Sequence, residues 1–197
     1  MSRHIQTYKN YLSDLKSVLD SLDMNELDAA THVLAKAYEE GRTVYVAGNG
    51  GSASTASHLA CDFSKTTQNR SHESGRKRLR GIALSDNVPL ITAYGNDISY
   101  DHVFSEQLRT LASPGDVLIV ITASGNSPSV VKALEVAKEM ELTSIAFLGF
   151  KGGKCRGLSD HSILAESQSY GIIEDAHSVL MHMLTEHLKE LVSSSSP

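Results

Sequence analysis

A chain of 197 residues has the length of one domain or two small ones, and its 41% hydrophobic and 21% charged residues exclude collagen-like, low-complexity and wholly disordered classes. The net charge of −5 argues against a dedicated nucleic-acid binder, which carries a strongly basic face. Two cysteines, Cys61 and Cys155, exclude a multi-bridge framework; no stretch reaches the roughly 18 apolar residues of a membrane span, and the first residues carry no apolar signal, so a reducing cytoplasm is expected.

Ile5, Tyr8, Leu12, Leu15, Leu19 and Leu22 recur every three or four residues, the stripe of an amphipathic helix. Its narrow seam needs cover from the sheet or from another subunit, and both are expected. A second helix opens at a capping box, Asp23 with Glu26, and closes at Gly41 after Leu27, Ala30, Val33, Leu34 and Ala37. At Thr43 the period changes. Buried strands are predicted over 43–47, 81–84, 116–122 and 143–148, with a short fifth one around 162–164. The helices between them are predicted after the first glycine loop through Phe63, then near 88–94, 102–112 and 128–140. A last helix covers about 172–191, and 193–197 read as a frayed tail. Strands alternating with helices predict an α/β fold with a central parallel sheet covered on both faces, whose ligands gather at the carboxyl ends of the strands. Residues 67–80 are polar and locally basic: a solvated surface loop, or a flap that brings Arg or Lys to an anionic substrate.

Two strand-loop-helix units carry the same kind of loop, Gly48-Asn49-Gly50-Gly51-Ser52 after the first strand and Thr122-Ala123-Ser124-Gly125-Asn126-Ser127 after the third. Glycine lets backbone approach an anion, hydroxyls donate to its oxygens, and the following helix presents free N–H groups and the positive end of its dipole. Thr122, Ser124 and Ser127 suit a sugar phosphate held by neutral donors; Ser127 before Pro128 also reads as an ordinary helix start. The first loop fits a loose dinucleotide fingerprint, but the acidic residue required about 20 residues on is missing from the end of a second strand, and no Walker A lysine follows either loop.

His58 and Asp62 lie four apart on one helix face, and Glu174 and His182 eight apart on the last helix. One pair from each helix can converge on a divalent ion, and imidazole with carboxylate suits zinc. Asp175, His177 and His187 on the same last helix are alternatives, and each pair alone also reads as a solvated surface pair.

Together, the run from Val46 to Ala53, His58, the Tyr94-Gly95-Asn96-Asp97 turn, the Thr122 to Ser127 loop and the Glu174 to His182 helix resemble the sugar isomerase (SIS) domain, in particular the phosphoheptose isomerases. The resemblance spans nearly the whole chain. It implies a three-layer SIS, flavodoxin-like sandwich of about five strands, with 1–41 as a helical pair used in assembly and 42–192 as the α/β core. It further implies a homotetramer that interconverts sedoheptulose 7-phosphate and a manno-series heptose 7-phosphate, with one zinc ion per subunit. Asn49, Gly50, Gly51, Ser52, Asn96 and Asp97 would then touch the substrate, and Thr122, Ala123, Ser124 and Ser127 would form the phosphate loop. His58, Asp62, Glu174 and His182 would bind the metal, and Asp62, His182 and Glu174 would carry the chemistry. Three positions depart from the family pattern: Asp62 stands for Glu, Glu174 for Gln, and Ala123 for Ser or Thr. The alternative reading is a non-catalytic SIS protein that binds a phosphosugar or a protein partner, such as a replication initiator. A pure binding module has no need of an acid/base pair beside its phosphate loop.

Overall fold

Residues 2–67 and 77–194 are described in a computed structural model. Most of the polar stretch read as a loop or flap, and the last three residues, lie outside them. Five strands, β1 (Thr43–Gly48), β2 (Arg80–Ala83), β3 (Val117–Thr122), β4 (Thr143–Gly149) and β5 (His161–Ala165), form one parallel sheet in the order β2-β1-β3-β4-β5. The β-branched run of β3 and the Val-Tyr-Val run of β1 are buried along their whole length, as a parallel sheet covered on both faces requires.

Successive side chains of each strand enter opposite layers. Val44, Val46, Ile119, Ile121, Ile145 and Phe147 pack with α1 (Arg3–Asp20), α2 (Met24–Glu40), α3 (Gly51–Cys61) and α8 (Tyr170–Ser194). Tyr45, Ala47, Leu118, Val120, Ala146 and Leu148 pack on the other side, against α4 (Val88–Asp97), α5 (Ser105–Leu111), α6 (Pro128–Glu139) and the short α7 (Cys155–Leu158). The expected three-layer α/β sandwich is therefore present.

The boundaries shift where local bonds override periodicity. The segment near 102–112 divides into a 3-10 turn, Tyr100–His102, and a shorter α5, because the Val103 amide bonds to the Tyr100 carbonyl at 3.3 Å. The last helix starts earlier than predicted, at Tyr170, with the Ile173 amide bonded to the Ser169 carbonyl at 3.1 Å. The seam of α1 is covered over only part of its length. Val18 and Leu22 are buried and Leu15 and Leu19 pack against the core, whereas Ile5, Tyr8 and Leu12 stay 47%, 67% and 65% exposed.

Candidate active site

The strand order reverses between β1 and β3, and at that point the crevice above the strand ends is the natural ligand site of a doubly wound sheet. The loops after these two strands are the two glycine- and hydroxyl-bearing segments. They line a cavity of about 180 Å³ with Asn49, Ser52, Thr122, Ala123, Ser124 and Ser127, closed on the α8 side by Tyr170 and Glu174. The helices that follow, α3 and α6, begin at Gly50 and Ser127, and neither has a side-chain cap on its first amides. Those N–H groups and the dipole behind them favour an anion.

Two glycines are dictated by this geometry. A Cβ at Gly48 would lie 2.6 Å from the Ser52 carbonyl oxygen, and Gly125 holds φ +62° with its α-carbon facing the Gly152 carbonyl. Asn49 is fixed from both sides: its amide donates to Ser129 Oγ at 3.0 Å, and its Oδ1 accepts from the Tyr100 hydroxyl at 2.9 Å. Neither Tyr100 nor Ser129 was singled out in the sequence, since an aromatic in a turn and a serine after Pro128 carry no motif. Tyr170 escaped for a different reason, because the predicted helix began after it.

His58, Asp62 and His182 form a second cluster. One donor atom from each lies within 4.8 Å of the others. His58 Nε2 stands 3.8 Å from Asp62 Oδ2, and the imidazoles of His58 and His182 meet edge to face with centroids 5.2 Å apart. Asp62 is buried, while the two histidines are exposed. Two imidazoles and a carboxylate held this closely match the donor set of a divalent-ion site, zinc included.

Glu174 does not join these three. Eight residues of helix separate it from His182, about 12 Å along the axis, and its carboxylate oxygens instead lie 3.2 Å from where a Cβ of Gly51 would sit. Glu174 therefore faces the anion loop. Asn96 and Asp97 close α4, exposed and bonded to one another at 2.8 Å, outside the cavity lining. Beyond them, the Tyr100 hydroxyl reaches the loop at Asn49.

Two of the α8 groups named as alternatives, Asp175 and His177, have structural partners. Asp175 accepts from the Tyr11 hydroxyl at 2.6 Å, a bond that raises the Tyr11 pKa. His177 is buried, with Nε2 3.1 Å from the Leu148 carbonyl, and burial pushes its pKa down to about 4. The carbonyl can only accept, so Nε2 carries a proton, and the lowered pKa keeps the ring neutral near pH 7.

The chain matches the SIS domain family over residues 7–149. It is 35% identical to a probable phosphoheptose isomerase of Thermoplasma acidophilum over 92% of this chain and 97% of the relative. Among solved structures, it is similar to the phosphoheptose isomerase GmhA of Neisseria gonorrhoeae, with a TM-score of 0.83 at 27% identity over 95% and 97% of the two chains. A phosphoheptose isomerase of Francisella tularensis superimposes equally well, with a TM-score of 0.83 at 28% identity over 96% and 100%.

Proposed function

We propose, for a chain that belongs to the SIS domain family and to the phosphoheptose isomerases within it, the interconversion of sedoheptulose 7-phosphate and D-glycero-D-manno-heptose 7-phosphate. The observation that carries this reading is the arrangement of two functions along the same pair of helices. The N-terminal end of α3 and Glu174 of α8 border the hydroxyl-lined cavity, while His58, Asp62 and His182 of the same two segments form the His/Asp/His group. Six residues of helix separate Ser52 from His58, a rise of about 9 Å. That span suits an extended sugar phosphate with its phosphate at one end and its carbonyl at the other.

Aldose–ketose isomerisation moves a proton between adjacent carbons through an enediol, and so needs a base, an acid for the carbonyl oxygen and stabilisation of developing negative charge. Asp62 takes the proton from carbon and returns it to the neighbouring carbon. His182 donates to the carbonyl oxygen as the enediol forms, and in the second half of the reaction it takes a proton from the hydroxyl on the neighbouring carbon, whose oxygen becomes the new carbonyl. Thr122, Ser124, Ser127 and the first amides of α3 and α6 hold the phosphate, which fixes the position of the reacting carbons relative to the base. His58, Asp62 and His182 would hold a zinc ion, which when bound supplies Lewis-acid polarisation of the sugar oxygens.

The reading includes a cytoplasmic homotetramer assembled through α1, and it is supported by the exposed apolar row of Ile5, Tyr8 and Leu12. The test is an NMR isomerisation assay over a panel of heptose and hexose phosphates, on protein of measured metal content. Conversion of sedoheptulose 7-phosphate is expected. Tight phosphosugar binding without turnover, with or without added divalent ions, would replace the enzyme by a binding regulator.

A further inference from the structure

The helix that carries His58 does not end as an ordinary α-helix. After Cys61 it continues as a π-helical turn, Asp62–Thr66, in which the Asp62 carbonyl accepts from the Thr67 amide at 3.0 Å, five residues on. Single π turns inside helices recur at functional sites, because the extra residue re-aims the side chains around it. Here the affected hydroxyl is that of Thr66. Thr31, Thr55, Thr67, Thr110 and Thr185 all return their hydroxyl to the backbone carbonyl four residues earlier. Thr66 instead donates to the side chain of the residue four before it, Asp62 Oδ1, at 2.8 Å.

That bond has a consequence for the other oxygen. With Oδ1 held, the plane of the Asp62 carboxylate is set, and Oδ2 is the oxygen that faces His58 at 3.8 Å. Asp has one torsion fewer than Glu, so once its plane is set only the Cα–Cβ torsion remains to place Oδ2. A hydroxyl behind a carboxylate ligand or base is the kind of outer-shell partner that orients the group without touching the substrate.

We infer that Thr66 is the positioning residue for Asp62, holding the carboxylate so that Oδ2 is presented to the His58/His182 side. This inference rests on the reading of Asp62 as base and metal ligand. In physical terms, a carboxylate freed from Thr66 can rotate about its last torsion, and the productive orientation becomes one of several.

The experiment compares Thr66→Val, which keeps the shape and removes the donor, and Thr66→Ser, which keeps the donor, with Asp62→Asn as the reference. Metal-stripped protein is titrated with Co²⁺ and followed by its visible spectrum, and sugar phosphate turnover is measured in parallel. Thr66→Val is expected to lose about 10- to 100-fold in Co²⁺ affinity and to lower kcat with KM for the sugar phosphate little changed. Thr66→Ser should recover most of both. Thr66→Ala serves in place of Thr66→Val if the latter does not fold, as judged by circular dichroism. Wild-type Co²⁺ affinity, spectrum and kcat in the donor-less variant, with Asp62→Asn defective, would overturn the inference and leave the reading of Asp62 standing. Unchanged behaviour of Asp62→Asn overturns both.

Discussion

The imidazole rings of His58 and His182 meet edge to face, their planes 78° apart and their centroids 5.2 Å apart. One belongs to the helix that follows the first strand and the other to the last helix of the chain, so this contact exists only because α3 and α8 pack on the same side of the sheet. Asp62, one turn beyond His58, completes the group. The proposed chemistry depends on that packing.

Removing the acid or the base is expected to abolish most turnover. Asp62→Asn and His182→Ala should each lower kcat by about 100- to 10,000-fold, the usual worth of a positioned acid or base. Progress curves by NMR with sedoheptulose 7-phosphate check this, and circular dichroism confirms that the variants are folded.

The hydroxyl loop predicts a different kinetic signature. Thr122→Val, Ser124→Ala and Ser127→Ala each remove one donor to the phosphate, worth about 1 kcal/mol, or roughly fivefold to tenfold in KM. Because the phosphate is held alike in substrate and transition state, kcat should change little. Steady-state kinetics separate the two parameters.

Glu174 offers a test of which half of the site it serves. Its carboxylate lies beside the anion loop and outside the His58/Asp62/His182 group. Glu174→Gln, which keeps the shape and removes the charge, should therefore bind inorganic phosphate and sugar phosphate more tightly by calorimetry. Co²⁺ affinity should stay near that of the wild type.

His177 sets part of the acid sensitivity. Burial holds its folded-state pKa at about 4, below the ordinary value of 6.5, so the unfolded chain binds the proton first. The stability associated with its neutral ring is fully present above pH 6.5 and is lost as the pH falls from there to about 4. His177→Gln should flatten this part of the stability curve. Urea midpoints measured between pH 4 and 7 report it.

The exposed row on α1 makes a prediction about assembly. Tyr8→Glu and Leu12→Glu, at positions 67% and 65% exposed, should leave the fold intact and dissociate the proposed tetramer. Light scattering after size exclusion reads the mass directly.

Much of the site is legible residue by residue. The glycines and hydroxyls of 48–52 and 122–127 declare close backbone approach and an anion, and the four-residue spacing of His58 and Asp62 places both on one helix face. Other parts are not legible at all. The Tyr100–Asn49–Ser129 chain joins three segments through single hydrogen bonds, and the π turn that frees the Thr66 hydroxyl has no periodicity to announce it.

By itself, the sequence determined the α/β alternation, the paired anion loops and the identity of the histidines and carboxylates, because periods, caps and turn residues act within a few positions of the chain. Only the tertiary structure decided how those residues are shared out. The strand order brings the loops of β1 and β3 together at the reversal point, and the packing of α8 beside α3 delivers His182 to His58 and Asp62. The same helix carries Glu174 about 12 Å away toward the anion loop, for the plain reason that eight residues of helix have that length.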